Sequence, residues 1–336
     1  MPTIKDVARV AGVSITTVSH VLNDTRFVSD ELRTRVLAAM EELDYRPNVL
    51  ARGLRRGETK TIGLVVPDNS NPFFAEIART VEDVGFNAGY SVILCNSDDN
   101  LAKEAAYVEV LIAKQVDGVV FIASGSSQEH LAALSQQGVP YVVVDREIDG
   151  SLADVILVNN ELGGYMATRH LIELGHQRIA CITGPSQLTP SADRVHGYQR
   201  ALREFGISED EELVVPGDFR AQGGTVACEQ LLQLGPPPSA IFACNDMMAI
   251  GVLRAARDAG LHVPGDLSVV GFDDIPLASV VSPALTTVAQ PITELARHSV
   301  RFLLARMQSS HEDRPTQRVV LEPQLVVRDS CGPCRG

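Results

Sequence analysis

The sequence lacks the features that mark several large classes of protein. No stretch reaches the roughly 18 uninterrupted apolar residues of a membrane helix, and the opening Met-Pro-Thr-Ile-Lys-Asp does not resemble a signal peptide. Cysteine is scarce, and four of the six cysteines stand singly within apolar runs. We therefore expect reduced core thiols in a cytoplasmic protein. The 45% hydrophobic and 21% charged residues exclude a disordered or fibrous chain.

The common sequence motifs of catalysis are also missing. The chain has no G-x-G-x-x-G after a strand, no P-loop, no H-E-x-x-H and no G-x-S-x-G. A C-x-x-C motif occurs at Cys331 and Cys334, but it follows the last strand candidate in a segment of small and polar residues. We interpret it as a frayed tail rather than a redox or metal site. The sequence predicts no enzyme, no cofactor and no metal, with a sugar-modifying enzyme as the distant alternative.

Charge is distributed unevenly along the 336 residues, whose length suggests about two domains. The net charge of −13 by itself argues against a nucleic-acid partner. Residues 1–60, however, contain ten Lys or Arg against eight Asp or Glu, and the remaining 276 residues carry −15. Within 46–60 there are five basic residues beside Glu58 alone. A small basic head on a large acidic body predicts a polyanionic partner at one end only.

The first 45 residues predict three short helices. Thr3 and Asp6 form an N-cap with an acidic first turn, and Gly12 ends the first helix. Ser14 is the predicted cap of the second helix, whose expected inward face is Ile15, Val18, Val21 and Leu22. A third helix starts near Asp30. Two short helices joined by a tight turn, with a third closing the core, are typical of a helix-turn-helix.

The second helix offers one polar face to a partner. Thr16 and His20 lie four residues apart and share that face, where both can hydrogen-bond to base edges in a major groove. The ordinary alternative is a pair of solvated polar positions. Pro47 then breaks the third helix, and Asn48 can cap one or two further turns at about 48–56. That segment is either a plain linker or a hinge helix that folds on DNA, with a leucine wedged into the minor groove.

Four segments of the head resemble the lactose-repressor (LacI/GalR) family: Thr3-Ile4-Lys5-Asp6-Val7-Ala8, Gly12-Val13-Ser14, Thr17-Val18-Ser19-His20-Val21-Leu22-Asn23 and Tyr45-Arg46-Pro47-Asn48 with Ala51-Arg52-Gly53-Leu54. The resemblance implies a homodimer whose recognition helices enter adjacent major grooves of a palindromic operator. It also implies paired hinge helices that insert Leu54 at the central step. The predicted DNA-binding residues are Ile15, Thr16, Thr17, His20, Asn23, Arg52, Leu54 and Arg55.

From residue 61 onward, short β-branched runs alternate with helical patterns that mostly end at glycine. The strand candidates are 62–66, 91–95, 118–122 and 141–144, followed by 178–183, 213–215, 240–244 and 268–272. This order is typical of β-α-β units and predicts an α/β body of two doubly wound parallel-sheet lobes. Ligands of such sheets bind beyond the carboxyl ends of the strands, so the residues at those ends are the candidate site.

Polar and aromatic side chains accumulate at those strand ends. Asn71-Pro72-Phe73-Phe74 follow the first strand, and Asp145-Arg146 follow the fourth. The second half contributes Arg194, Asp218-Phe219, Asn245-Asp246, Asp273-Asp274 and Gln290. Carboxylate, guanidinium and amide groups suit adjacent hydroxyls, and rings cover apolar sugar faces. Each position alone has an ordinary interpretation as a helix cap or core residue, but together they predict a small-polyol site.

The body resembles the periplasmic sugar-binding proteins, and in detail the ribose-binding protein and bacterial ribose-operon repressors. The resemblance covers about residues 2–328 and implies an effector site of Asn71, Phe73, Phe74, Asp145, Arg146, Arg194, Phe219, Asn245, Asp273 and Gln290. It implies a repressor of a sugar-utilisation operon that D-ribose relieves. Another sugar or a nucleoside, acting as inducer or as corepressor, stays open as the alternative.

These inferences give an expected domain plan. Residues 1–60 form the helix-turn-helix head with its hinge helix, residues 61–330 form the effector-binding and dimerisation domain, and 331–336 form a tail. Lobe 1 is expected at about 61–160 and 292–320, and lobe 2 at about 161–291 and 321–330. The tail lacks the leucine heptads that make some relatives tetrameric, so a dimer is expected.

Overall fold

The computed structural model describes residues 2–24, 26–45, 58–125, 128–146, 153–185, 188–308 and 315–334. The chain divides into two units, Met1–Thr59 and Lys60–Gly336, which are described separately below. The predicted hinge helix at about 48–56 lies outside the described residues.

The first unit contains three helices, as the sequence predicts: α1 (Ile4–Ala11), α2 (Ile15–Asn23) and α3 (Asp30–Glu42). At the start of α1, the hydroxyl and the backbone N–H of Thr3 both donate to the Asp6 carboxylate. These hydrogen bonds lower the pKa of Asp6 to about 2. Gly12 ends α1 with a φ of 63°, and Arg35 donates to the carbonyl of Ala11 at 2.7 Å. Because a Cβ at position 12 would lie 2.7 Å from the Arg35 guanidinium, glycine satisfies both the turn and the packing.

A small apolar core closes this unit. Its buried side chains are Val7, Ala8, Ala11, Val18, Val21, Val36 and Ala39. The sequence pattern placed Ile15 on the inward face of α2, and this is wrong: Ile15 is 45% exposed. Ile15 is the first residue of α2, and the core of the unit is filled by residues of the later turns. An exposed isoleucine at the start of this helix is therefore available to a partner.

Lobe 1 of the second unit is a six-stranded parallel sheet in the order β11-β5-β4-β3-β1-β2. Its strands are β1 (Thr61–Val66), β2 (Ser91–Asn96), β3 (Gly118–Phe121), β4 (Tyr141–Val144), β5 (Asp154–Val158) and β11 (Arg318–Leu321). Four helices belong to this lobe, namely α4 (Pro72–Asn87), α5 (Leu101–Ala113), α6 (Gln128–Gln136) and α11 (Ile292–Met307). Strand β3 is buried throughout and β1 is buried from Ile62 onward, as expected for a sheet covered on both faces.

Lobe 2 is a second six-stranded sheet in the order β12-β10-β9-β8-β6-β7. Its strands are β6 (Ile179–Thr183), β7 (Val214–Pro216), β8 (Ala240–Ala243), β9 (Ser268–Asp273), β10 (Thr286–Ala289) and β12 (Gln324–Val326). The helices are α7 (Asn160–Glu173), α8 (Thr189–Glu204), α9 (Ala221–Leu232) and α10 (Asp246–Asp258). The prediction of an all-parallel sheet is wrong for lobe 2, because the edge strand β12 runs antiparallel to β10.

Across the two lobes, eight strands have bounds that agree with the strand candidates of the sequence to within one or two residues. The pattern did not indicate β5, β10, β11 and β12. All four begin with a polar residue and have five residues or fewer. In addition, β11 and β12 lie at sheet edges, where their side chains stay partly exposed, so they lack the longer apolar run that marks a buried strand.

The chain passes between the two lobes at three places. It leaves β5 for α7 at Asn159, it leaves β10 for α11 at Pro291, and it passes from β11 to β12 after Leu321. These three connections allow one lobe to rotate against the other.

The segment at 331–334 is not frayed, which corrects the sequence-based interpretation of the C-x-x-C motif. The Cys331 thiol donates to the carbonyl of Val269, and the Cys334 backbone N–H donates to the carbonyl of Leu174. Burial raises the pKa of Cys331 to about 11, so its thiolate is disfavoured. Val269 lies in the interior strand β9 and Leu174 follows α7, so these residues after β12 gain their partners only through the tertiary fold. Across the described residues, no helix is both long enough and apolar enough to span a membrane.

Candidate functional site

The first candidate site is the exposed face of α2 in the head. Ser14 caps the helix by accepting the Thr17 N–H at 3.0 Å, and the Ser14 and Thr17 hydroxyls lie 2.9 Å apart. Thr17 is therefore engaged in holding the start of the helix. Thr16 is exposed, and His20 is half-buried one turn later. Ile15, Thr16 and His20 thus remain candidates for direct contact with DNA, whereas Thr17 positions the helix.

Four of the predicted DNA-binding residues are not placed by the structure. Arg52, Leu54 and Arg55 lie outside the described residues, and the side chain of Asn23 is likewise not described. Their roles stay predictions.

The second candidate site is the cleft between the two lobes of the second unit. A cavity of about 20 Å³ lies there, lined by Asn71, Phe73, Phe74, Asp145, Arg146, Pro190, Arg194, Phe219, Asn245 and Asp273. Nine of these ten residues are in the predicted effector set. The tenth, Pro190, has no side-chain polar group by which a sequence pattern could have singled it out. Gln290, the remaining predicted residue, contacts the cavity-lining Asp273 through a hydrogen bond of 2.8 Å.

The first strand end supplies an amide and two aromatic rings. Asn71 caps α4, since its side-chain oxygen accepts the Phe73 N–H at 3.1 Å. The Asn71 side chain therefore serves both as a helix cap and as part of the cavity wall. Phe73 and Phe74 are buried and meet edge to face with ring centroids 5.0 Å apart. These two rings in the first turn of α4 give lobe 1 an apolar surface beside the charged side chains of Asp145 and Arg146.

Asp145 and Arg146 follow β4 and are both buried. Asp145 adopts a φ of 68°, in the left-handed region. The Arg146 guanidinium lies 5.7 Å from the Phe74 ring centre and donates to the carbonyl of Ala123. The Asp145 Oδ1 and the Arg146 Nε make no hydrogen bond within the described part of the chain. Buried polar atoms without a partner are rare, so lobe 1 presents unused hydrogen-bonding capacity to the cleft.

Arg194, on α8, is the centre of the lobe 2 side. Its Nε donates to the side-chain oxygen of Asn160 at 2.8 Å, and its Nη1 donates to the carbonyl of Cys244 at 2.6 Å. The guanidinium lies 3.7 Å from the centre of the Phe272 ring, and its Nη1 is 3.7 Å from the Asp273 carboxylate. Asn160 and Phe272 were not among the predicted site residues. Because they act by holding Arg194, only their three-dimensional position reveals them.

Asn245 and Phe219 form the adjoining wall. The Asn245 oxygen caps α10 by accepting the Met248 N–H at 2.9 Å, and its amide nitrogen donates to the Phe219 carbonyl at 2.9 Å. Phe219 has a φ of 63°, and its ring lies against Gly184. A Cβ at position 184 would come within 2.1 Å of that ring, so the glycine after β6 makes room for the aromatic wall.

Burial controls the charge of the cleft carboxyls. It raises the pKa of Asp273 to about 7, a shift that Arg194 and the hydrogen bond from Gln290 partly offset. Burial also raises the pKa of Asp145, partly offset by Arg146 and Arg194. Behind them, burial and the neighbouring Asp273 raise the pKa of Asp246, whose oxygens accept from Thr287 and Ile275. The Asp273 carboxyl can therefore donate or accept a hydrogen bond near neutral pH.

Comparison with known proteins assigns the family. Residues 3–48 match the family of bacterial regulatory proteins, lacI family, and residues 168–331 match a periplasmic binding protein-like domain. The HTH-type transcriptional repressor PurR of Photobacterium profundum is 41% identical over 331 residues, which are 98% of each chain. This chain belongs to the LacI family of bacterial transcriptional regulators. It is a DNA-binding repressor and not an enzyme, as the sequence predicted.

Solved LacI-family structures share its fold. The lac repressor dimer bound to operator and an anti-inducer is 31% identical, covers 98% of each chain and gives a TM-score of 0.87. A LacI-family regulator from Enterococcus faecium with bound ribose is 33% identical, covers 82% of this chain and all of that one, and gives a TM-score of 0.75. These matches confirm the predicted helical head and the binding-protein-like body.

Proposed function

We propose that this LacI-family repressor controls a sugar-utilisation operon and that a small sugar, D-ribose first among the candidates, binds in the cleft and relieves repression. The observation that carries the proposal is the composition of the cleft. Two guanidinium groups, two carboxyls and two amides from both lobes surround a space walled by Phe73, Phe74 and Phe219. Adjacent hydroxyls of a sugar can bind such planar groups in pairs, while the rings cover its C–H faces.

The unpartnered atoms support the same proposal. Asp145 Oδ1, Arg146 Nε and Gln290 Oε1 are buried and make no hydrogen bond among the described residues. They comprise two acceptors and one donor, and a hydroxyl can serve either kind of partner. A ligand with several hydroxyls therefore satisfies all three, which favours a polyol over a largely apolar ligand.

A free purine that acts as corepressor is the second candidate. The observation that favours it is the similarity to repressors named PurR, which are purine-responsive. A free purine offers a few N–H groups and ring nitrogens along its edges, fewer donors than a sugar has hydroxyls. The cleft's four charged side chains therefore suit the sugar better.

The small volume of the cleft implies that binding requires movement. A cavity of about 20 Å³ holds little more than one water molecule. A sugar therefore enters only after the lobes separate, and the three connections at the hinge permit this. A sugar that contacts Asp145 and Arg146 on lobe 1 and Arg194 and Asp273 on lobe 2 favours one lobe orientation. A coupling of about 1–3 kcal/mol to operator binding changes affinity roughly 5- to 150-fold.

Isothermal titration tests the effector. We expect heat with D-ribose and none with fructose, ribose phosphate or adenine. A gel-shift titration then gives the sign of the switch, and ribose is expected to weaken operator binding. Binding of a purine without binding of ribose would favour the second candidate, and operator binding strengthened by ribose would make ribose a corepressor.

The operator is proposed to be a palindrome of roughly 16–18 base pairs with a flexible central step. His20→Ala should cost about 1–3 kcal/mol and relax base preference at one symmetric pair of positions, because His20 is proposed to read a base edge. Glu42→Gln, at the exposed end of α3, is the matched control. Binding-site selection that yields the same preferences for His20→Ala and the unaltered protein would refute this role. Leu54→Ala should weaken operator binding and leave sugar binding intact.

The operator's symmetry requires two copies of the head, and a homodimer is proposed. Several large apolar side chains of the second unit are exposed in the single chain, among them Phe86 and Val280, each 72% exposed. The core of a subunit interface is apolar, so each of these two positions is a candidate for it. Sedimentation analysis of Phe86→Asp and Val280→Asp, each compared with the unaltered chain, tests whether either surface holds the dimer together.

A further inference from the structure

A second cavity adjoins the effector cleft near the crossing of the chain at Asn159. This hinge chamber is lined by residues of β5, β11 and the starts of α7 and α8. Its volume is about 220 Å³, against about 20 Å³ for the cleft. Asp145 and Pro190 line both spaces, so the cleft and the hinge chamber adjoin at these two residues.

The walls of the hinge chamber differ chemically from those of the cleft. Its polar groups include the carboxyls of Asp145, Glu161 and Asp193, the hydroxyl of Thr189 and the guanidinium of Arg318. Among the described lining residues none is aromatic, whereas three phenylalanines line the cleft. The chamber therefore accepts hydrogen bonds from O–H and N–H groups and offers no aromatic face for stacking.

Asp145 connects the two spaces. The residue is 4% exposed, and its Oδ1 makes no hydrogen bond among the described residues. A cavity of roughly 150 Å³ suffices for a benzene-sized ring, so the hinge chamber is large enough for a ring-sized group. An unused buried carboxylate oxygen at the border of such a space calls for a donor from a ligand.

We propose that the hinge chamber is a second subsite of the effector site, which takes a hydrogen-bond-donating group attached to the sugar in the cleft. The effector class is then a riboside, such as a nucleoside with an amino-bearing base, which binds more tightly than the bare pentose. This inference rests on the proposed sugar site. The chamber is lined by Asp145 and Arg318 of lobe 1 and by Glu161 and Thr189 of lobe 2, so the substituent contacts both lobes beside the hinge.

Isothermal titration of the full chain with D-ribose, methyl β-D-ribofuranoside and adenosine tests the proposal. We expect adenosine to bind at least tenfold more tightly than D-ribose. Thr189→Trp, at an exposed position of the chamber wall, should remove that advantage and change the affinity for D-ribose less than twofold. His196→Trp, at an exposed position of the same helix, is the matched control and should change neither affinity. Asp193→Asn, which keeps the shape of the side chain, should lower the affinity for adenosine more than the affinity for D-ribose.

Each other outcome has a definite meaning. Adenosine that binds no more tightly than D-ribose overturns the second subsite and leaves the sugar site standing. The second subsite is also overturned if Thr189→Trp and Asp193→Asn reduce the affinities for adenosine and for D-ribose equally. If none of the three ligands binds the unaltered protein, the proposed sugar function itself fails.

Discussion

The two halves of the effector cleft differ in how far the protein supplies their hydrogen bonds. On lobe 2, Arg194 is held by Asn160, by the Cys244 carbonyl and by the face of Phe272, and Asp273 is held by Gln290. On lobe 1, Asp145 and Arg146 keep buried atoms without partners. Lobe 2 leaves one buried cleft atom, the Gln290 Oε1, without a partner among the described residues. It is therefore the more preorganised half-site, and lobe 1 depends more on a ligand to complete its polar contacts.

This difference suggests a division of labour. A preorganised side chain loses little entropy on binding, so lobe 2 should determine ligand affinity. The unpartnered groups of lobe 1 gain their partners only when a ligand bridges the lobes, so lobe 1 should determine how strongly ligand binding changes lobe orientation. The following predictions test this division, from the largest expected effect to the smallest.

Asp273→Ala should produce the largest loss of sugar affinity. It removes a buried carboxyl of the preorganised half, and loss of a charged hydrogen bond costs about 1.5–3 kcal/mol, or roughly 10- to 150-fold in affinity. Operator binding should persist, so the variant represses permanently. Titration calorimetry and gel shift measure the two properties, with the exposed Asp258→Ala as control. Full induction of Asp273→Ala by the sugar would contradict the proposed site.

Asp145→Asn should separate affinity from switching. The change removes a buried, incompletely paired charge, so we expect the free protein to be as stable as before or more stable in thermal melts. Sugar affinity should fall less than in Asp273→Asn, while the ligand-dependent change in operator affinity should fall more. The comparison fails if Asp145→Asn loses more sugar affinity than Asp273→Asn.

The pH dependence of stability should report Asp273. Its pKa of about 7 in the folded protein lies above the ordinary value of 3.8. The unfolded chain therefore releases this proton first as pH rises. The contribution of Asp273 to the free energy of unfolding is fully present below about pH 4. It is lost as pH rises toward 7, by at most about 1.4 kcal/mol per pH unit. Asp145 and Asp246 contribute in the same direction, so the quantity to measure is the difference between the unaltered protein and Asp273→Asn in denaturant titrations. A difference that does not change between pH 5 and 7 would refute the assignment.

Arg220→Gln should have the smallest effect. Arg220, before α9 on lobe 2, lies 3.8 Å from the Asp68 carboxylate after β1 on lobe 1. The arginine is 62% exposed, and ion pairs of this kind contribute about 0–1 kcal/mol. We expect at most a roughly fivefold change in sugar affinity, which 0.5 M salt removes. Arg203→Gln, which breaks the exposed pair with Glu209 within lobe 2, is the control and should leave sugar affinity unchanged.

Sequence patterns that span a few neighbouring residues were sufficient to predict most of the helices and strands. The caps at Thr3 and Ser14, the glycine at position 12 and eight of the strands follow from residues within a few positions of one another. Sheet-edge strands such as β11 and β12 did not follow, because their stability comes from pairing with distant strands rather than from an apolar run of their own.

By itself, the sequence determined which chemical groups stand at the strand ends, because strand, turn and helix cap are local properties of the chain. It determined Asp145, Arg194 and Asp273 as candidates, although each could have been an ordinary polar residue. Only the tertiary structure decided that Asn160 and Phe272 hold Arg194, that residues 331–334 hydrogen-bond to Val269 and Leu174, and that a second chamber adjoins the cleft. These features depend on residues far apart in the chain, which three crossings between the lobes bring together. Contacts of that range leave no periodic signal in the sequence.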